Sequence, residues 1–303
     1  MKRNVLLSRV VLAACLVTRP AMVEAGPAPQ AEAVWRSWNQ PVAPFRIIGN
    51  IYYVGADEIT SFLMVTPQGN ILLDGGFVET APQIEANIQK LGFRLEDVKV
   101  LLSSHAHFDH AGGLAELKRA TGAKFYASTA DAPLLERGGH GDFSFGDRFP
   151  FPGVKPERLL EDGDTVSMGG TTMTAHLTPG HTKGCTTWTT TAEENHKSYP
   201  TIFVCSTSIP GHRLVNNPAY PNIAEDYAKT FRVLRSLPGD VFLATHGSFF
   251  DLSGKREALS RGAKSNPFVD PAGYRTYLRD SEAAYRKELH RQQRAEGTQP
   301  PKN

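Results

Sequence analysis

The six residues HAHFDH, positions 105–110, hold three of the chain's ten histidines together with an aspartate. This crowding limits the fold more than any other feature. A core would have to satisfy several polar rings at once, and a surface loop gains nothing from such a cluster. A metal ion accounts for it. His105 and His107 are two apart, so on extended backbone both rings leave the same face. Asp109 and His110 lie just beyond and aim at a neighbouring point. So short an arc cannot close a tetrahedral shell around one ion, whereas two ions about 3.5–4 Å apart can share it. The fold must then bring further ligands from elsewhere.

Two other histidines are placed to do so. LTPGHTKG puts His181 in a turn after a strand, and LATHG puts His246 at a strand end. Each follows an apolar run and precedes a glycine, where a rigid sheet presents a side chain to a cleft. Alone, either would read as an ordinary loop histidine; beside HAHFDH both read as ligands. Five imidazoles and one carboxylate favour zinc over iron or manganese. His140, His176, His196 and His290 have no such company and read as structural or solvated. His212, in SIPGHR, is the exception and is expected to line the cleft.

The element order supplies a frame for these ligands. NIYYVG, SFLMVTPQG and NILLDGG read as strands punctuated by turn residues, with TPQGN as a hairpin connection. TAPQIEANIQKLG reads as a helix. Ile84, Ile88 and Leu91 recur at i, i+4, i+7, Thr80 is placed to cap, Pro82 suits the first turn, and Gly92 ends it. VKVLLSS is a strand feeding the histidine loop, followed by a short helix with Leu114 and Leu117 and the strand AKFYAS. The second half repeats the scheme with TMTAHLTPG, CTTWTTT, TIFVCSTS and DVFLATHG as strands. Tyr227, Phe231 and Leu234 mark one helix, and a polar C-terminal helix carries Tyr274, Leu278, Tyr285 and Leu289. Strands and helices in both halves imply two packed sheets with helices outside. The connection 138–159, rich in Gly, Pro and Phe, reads as a loop over a site. Phe143, Phe145, Phe149 and Phe151 either cover a substrate or pack within the loop.

Residues 1–25 have the layout of a secretory signal peptide: a basic start, an apolar run from Val10 to Val17, and small residues ending at Ala25. LAAC, ending at Cys15, resembles a lipobox and is the alternative. Removing the signal leaves Cys185 and Cys205, which in an exported protein form one disulfide or stay as two buried thiols. Lys and Arg number 33 against 31 for Asp and Glu, a net charge of +2 with no basic footprint for nucleic acid. No run of 18 apolar residues is present, so no helix of the chain is suited to span a membrane. The protein is expected to be periplasmic and to act as a monomer.

His105-x-His107-x-Asp109-His110, then TPGHT, then THG resembles the metallo-β-lactamase superfamily, from about Arg46 through the C-terminal helix. The resemblance implies an α+β, four-layer αβ/βα sandwich, with two mixed sheets inside, helices outside and the site at one edge between the halves. It makes 26–303 a single domain. NILLDGG resembles the family's early strand that ends in a buried aspartate, which implies that Asp74 fixes the histidine loop. Most hydrolases of the superfamily other than β-lactamases carry a metal-bridging aspartate at the end of the strand between the last two histidines. That strand here, TIFVCSTSIPG, has no acid before Glu225, which counts against a thioesterase or lactonase. Ser206-x-Ser208-x-Pro210-Gly211, followed by NPAYPNIAEDY, resembles the third subclass of class B β-lactamases. There a serine replaces the cysteine that ligates the second metal in other subclasses, although a one-residue shift would put Cys205 at that position.

The resemblance implies that His105, His107 and His181 hold one zinc and that Asp109, His110 and His246 hold the other. Two zinc ions per chain would bring a shared water to hydroxide near neutrality, with Asp109 orienting it and relaying a proton. Ser206 and Ser208 would hold the carboxylate of a β-lactam, unless they are simply strand-end serines in a turn. The implied activity is opening of penicillins, cephalosporins and carbapenems, and hence antibiotic resistance. Two other readings remain: a related zinc hydrolase of lactones, thioesters or phosphodiesters, and a secreted zinc-binding protein without turnover.

Overall fold

The computed structural model describes residues 29–297. The signal segment and Cys15 lie outside the described residues. The first sheet has seven strands in sequential order: β1 (Phe45–Ile48), β2 (Ile51–Tyr53), β3 (Phe62–Met64), β4 (Asn70–Leu73), β5 (Val98–Leu102), β6 (Lys124–Ser128) and β7 (Arg158–Leu160). Pairing is antiparallel up to β4 and parallel from β4 to β7. The second sheet runs β12-β11-β10-β9-β8, formed by β8 (Thr165–Met168), β9 (Thr171–Leu177), β10 (Thr186–Glu194), β11 (Lys197–Val204) and β12 (Val241–Ala244). Both sheets are mixed, because β11 and β12 are parallel while the other pairs are antiparallel.

The unbroken apolar runs of β4 and β5 follow from burial on both faces. Leu72 and Leu101 point to one side, where they pack with Ile84 and Ile88 of α2 (Ala81–Lys90) and with Leu114 and Leu117 of α4 (Leu114–Thr121). Ile71, Leu73, Val100 and Leu102 point to the other, into the core shared with the second sheet. The period of two thus sends alternate residues to the outer helices and to the sandwich interior. On the far side, Tyr227 and Phe231 of α6 (Ile223–Ser236) meet Tyr285 of the long helix α8 (Pro271–Gly297), with ring centroids 5.5 and 5.6 Å apart. The layers are those of the expected sandwich.

Some local expectations need correction. The Pro- and Ala-rich stretch from Gly26 to Ala33 reads in the sequence as a leader without structure, yet helix α1 spans Pro29–Trp38. Thr80 precedes α2 without capping it; its hydroxyl donates to Asn39 Oδ1 and accepts from Phe77 N–H. FRII and TVSM form β1 and β8, short strands that the turn punctuation did not reveal. In the 138–159 connection, Phe151 and Val154 enter the core beneath α5 (Ala132–Glu136).

Cys185 and Cys205 form a disulfide that joins the start of β10 to the end of β11. It lies beside His105, and the bond removes both thiolates as ligands. The ends of β4, β5, β9, β11 and β12 lead into Asp74, the histidine loop, His181, Ser206 and His246 respectively. The candidate ligands therefore lie at strand ends or in the short segments that follow them, at one edge of the sandwich.

Candidate metal centre

The five histidines and Asp109 do meet. His105 lies 4.9 Å from His107, 4.8 Å from His181 and 4.4 Å from His110, measured between ring centroids. His107 Nδ1 faces His181 Nε2 at 3.0 Å. His110 Nε2 faces His246 Nε2 at 3.3 Å, and Asp109 Oδ2 is 3.3 Å from the first and 3.7 Å from the second. His105 joins both groups, as its ligand atoms lie close to those of His107 and His181 and to those of Asp109 and His110. The N-terminal end of the four-residue helix α3 (Phe108–Ala111) follows His107, and its turn sets Asp109 and His110 on the second side.

The chemistry of this cluster fits a cation. Burial pushes the basicity of His105 and His181 well below the ordinary imidazole range, and the neighbouring histidines add to the shift. Two neutral ring nitrogens face to face can share only one proton, and buried His105 Nε2 has no hydrogen-bond partner. Leaving such an atom unsatisfied costs about 1–3 kcal/mol. The opposite ring nitrogens fix the tautomers. His181 Nδ1 donates to Ser208 O at 3.0 Å, and His246 Nδ1 lies 3.3 Å from Glu58 Oε1. Their Nε2 lone pairs are left facing inward, as metal ligation by imidazole requires.

The loop is held from two sides. Asp74 adopts the left-handed region at φ 65° and accepts Ser104 N–H at 2.7 Å, the loop-fixing contact implied for it. That conformation costs a non-glycine residue about 1 kcal/mol or more. Asp131 does the same from the opposite side, and nothing in the sequence singled it out. It stands at the start of α5, yet its carboxylate makes no cap. Instead it accepts Ala106 N–H at 3.0 Å, Thr182 Oγ at 2.7 Å and Gly184 N–H at 2.7 Å. One buried carboxylate thus ties the His105–His107 segment to the His181 turn. Gly184 is required here, because a Cβ would collide with Ser128 Oγ and the Asp131 backbone.

Above the histidines lies a cleft of about 660 Å³, walled by Trp35, Trp38, Phe145, Phe149 and Phe249, with Ser208, Glu58 and Arg148 as polar lining. The phenylalanine loop divides its roles. Phe145 and Phe149 face the cleft, whereas Phe143 packs on His212 at 5.0 Å and Phe151 is core. Ser208 lines the cleft, and Ser206 is buried behind it with the hydroxyls 3.1 Å apart. His212 is buried behind His181 and bonds Tyr227 OH at 3.0 Å, so it lies outside the cleft lining. Trp35 and Trp38 had an available signal, since their spacing of three puts them on one face of a helix. Glu58 and Asp142, which reach His246 and His107 from distant segments, had none.

The sequence profile of the Metallo-beta-lactamase superfamily matches residues 54–246, and the chain belongs to that superfamily. Among solved structures it is similar to the native FEZ-1 metallo-beta-lactamase from Legionella gormanii, at 44% identity and TM-score 0.82, covering 84% of this chain and 98% of that one. It is also similar to BJP-1, a subclass B3 metallo-beta-lactamase of Bradyrhizobium japonicum, at 39% identity and TM-score 0.80, over 86% of this chain and 98% of the other. Curated relatives match more briefly. A hydroxyacylglutathione hydrolase of Hyphomonas neptunium is 31% identical over 99 residues, which is 33% of this chain and 30% of that protein. The chain spans only about a third of the length of such relatives.

Proposed function

We propose that the protein is a di-zinc β-lactamase of the third class B type. The observation that carries this reading is the pairing of a complete Asp109–His110–His246 group beside His105–His107–His181 with a strand β11 that runs into Cys205 and Ser206 without a carboxylate. The similarity to FEZ-1 and BJP-1 over nearly their whole lengths supports it. Zinc, when bound, supplies Lewis acidity towards the scissile carbonyl and makes water ionise near neutral pH. The chain's own residues do the rest. Asp109 accepts a hydrogen bond from the attacking water and orients it. As the amide C–N bond opens, the departing nitrogen takes up the proton that Asp109 relays. Ser208 Oγ receives the substrate carboxylate, braced by the Ser206 hydroxyl. Trp35, Trp38, Phe145 and Phe149 cover the apolar side and exclude bulk water.

One ultraviolet assay on purified, zinc-supplemented protein tests this. A cephalosporin and a carbapenem should both be opened, insensitive to clavulanate-type inhibitors that trap a serine and lost with EDTA. The short match to a hydroxyacylglutathione hydrolase favours a thioester as the second reading. Thioester or lactone turnover without lactam opening would establish that instead. The proposal also places the protein in the periplasm. Mass analysis of mature protein should find it starting near Gly26, and a lipid-modified Cys15 would refute a soluble periplasmic form. Among the described residues no helix is long and apolar enough to cross a membrane.

A further inference from the structure

His107 differs from its partners in the nitrogen it turns inward. It presents Nδ1 to the cluster, facing His181 Nε2 at 3.0 Å, and ligation of a cation through Nδ1 would leave its proton on Nε2. Nε2 points away from the centre towards Asp142 Oδ2, 3.6 Å distant. Both side chains are only 4% exposed, and both of these atoms are buried without any hydrogen-bond partner. At 3.6 Å they do not yet form a hydrogen bond, but each is placed as the other's complement. The second oxygen of Asp142 is fully engaged. Oδ1 accepts the N–H groups of Ser144 and Phe145, both at 2.7 Å, while the Asp142 backbone pairs with Gly146. The ring of Phe145, next on this turn, packs on His107 at 4.9 Å between centroids.

We infer that Asp142 is a positioning residue for His107, through which the phenylalanine loop sets the tautomer and metal affinity of that histidine. Its two oxygens do different work. One folds the tip of the loop that bears Phe145 and Phe149, and the other holds the Nε2 proton so that Nδ1 stays bare. The wall of the cleft and the first zinc group are therefore one mechanical unit. This rests on the zinc reading given above.

The test is Asp142→Asn. An amide can still accept from Ser144 and Phe145 but turns an NH₂ towards His107 Nε2. Zinc affinity is measured by competition with a chromophoric chelator. Long-range ¹H–¹⁵N spectra of the zinc-loaded protein report which His107 nitrogen carries the proton. Asp147→Asn is the control, because it removes the same charge from an exposed site on the same loop. Asp142→Asn should weaken one of the two zinc sites about 10–100-fold and lose the protected Nε2–H signal, whereas Asp147→Asn should change neither. A twofold or smaller change in Asp142→Asn, an equal change in Asp147→Asn, or a His107 proton on Nδ1 in the wild type would overturn the inference. Wild-type protein that takes up no zinc would instead remove the reading of the site itself. Zinc uptake by the wild type with an indifferent Asp142→Asn variant would remove only the role of Asp142.

Discussion

Replacing Asp109 by Asn is expected to slow cephalosporin turnover by about 10²–10³-fold in zinc-saturated buffer. Burial alone would raise the pKa of this carboxyl. The neighbouring His110, His246 and His107 outweigh burial and hold it well below the usual carboxylate range. As an anion it only accepts hydrogen bonds, which suits it to receive and orient a water molecule. Asn keeps the shape and one acceptor but loses the charge that pairs with His110 and His246 at 3.3 and 3.7 Å. Elemental analysis should accordingly fall from about two zinc ions per chain towards one. The loss should appear mainly in kcat, since Ser208 and the aromatic walls are untouched. An Asp109→Asn variant with near wild-type kcat would strip the residue of its proposed role, and full wild-type activity with one tightly held ion would refute the paired site.

The parts of this site that were legible in the sequence are those written at short range. HAHFDH shows its own spacing, and each distal histidine follows an apolar strand and precedes a glycine. Asp74 was legible through the resemblance of NILLDGG to the superfamily's early strand that ends in a buried aspartate. The core helices were readable from Ile84 and Ile88 or from Tyr227, Phe231 and Leu234, because one face of a helix repeats every three to four residues. The outer partners were not. Asp131 reaches Thr182 across 51 residues and Gly184 across 53, and Glu58 reaches Ser248 across 190. No local pattern encodes such contacts, which exist only once both sheets have formed. Helix α1 was obscured for a different reason. Its Pro- and Ala-rich start continues the composition of the leader, and only Trp35 and Trp38, which pack at 5.0 Å on Phe108 and 5.5 Å on His246, reveal its role at the cleft.

Asp131→Ala should cost about 3–4 kcal/mol of folding stability, a larger effect than most single substitutions produce. Three donors would lose their acceptor at once: Ala106 N–H, Thr182 Oγ–H and Gly184 N–H. Hydrogen bonds to a charged group contribute roughly 1.5–3 kcal/mol each. Against that stands the cost of burying the carboxylate, which is real, because burial raises its pKa despite those bonds. Removing the side chain relieves this cost, so the net loss is smaller than three full bonds. At roughly 2–4 °C per kcal/mol for a chain of this size, the unfolding midpoint should drop by about 10 °C. The effect on the site should exceed what stability alone predicts. Asp131 is the strut between the segment that carries His105 and His107 and the turn that carries His181, so zinc affinity should fall even well below the unfolding midpoint. Differential scanning calorimetry of zinc-free protein separates the two effects from chelator competition on folded protein. A midpoint within about 2 °C of wild type together with unchanged zinc affinity would show that the two segments hold their positions without the strut.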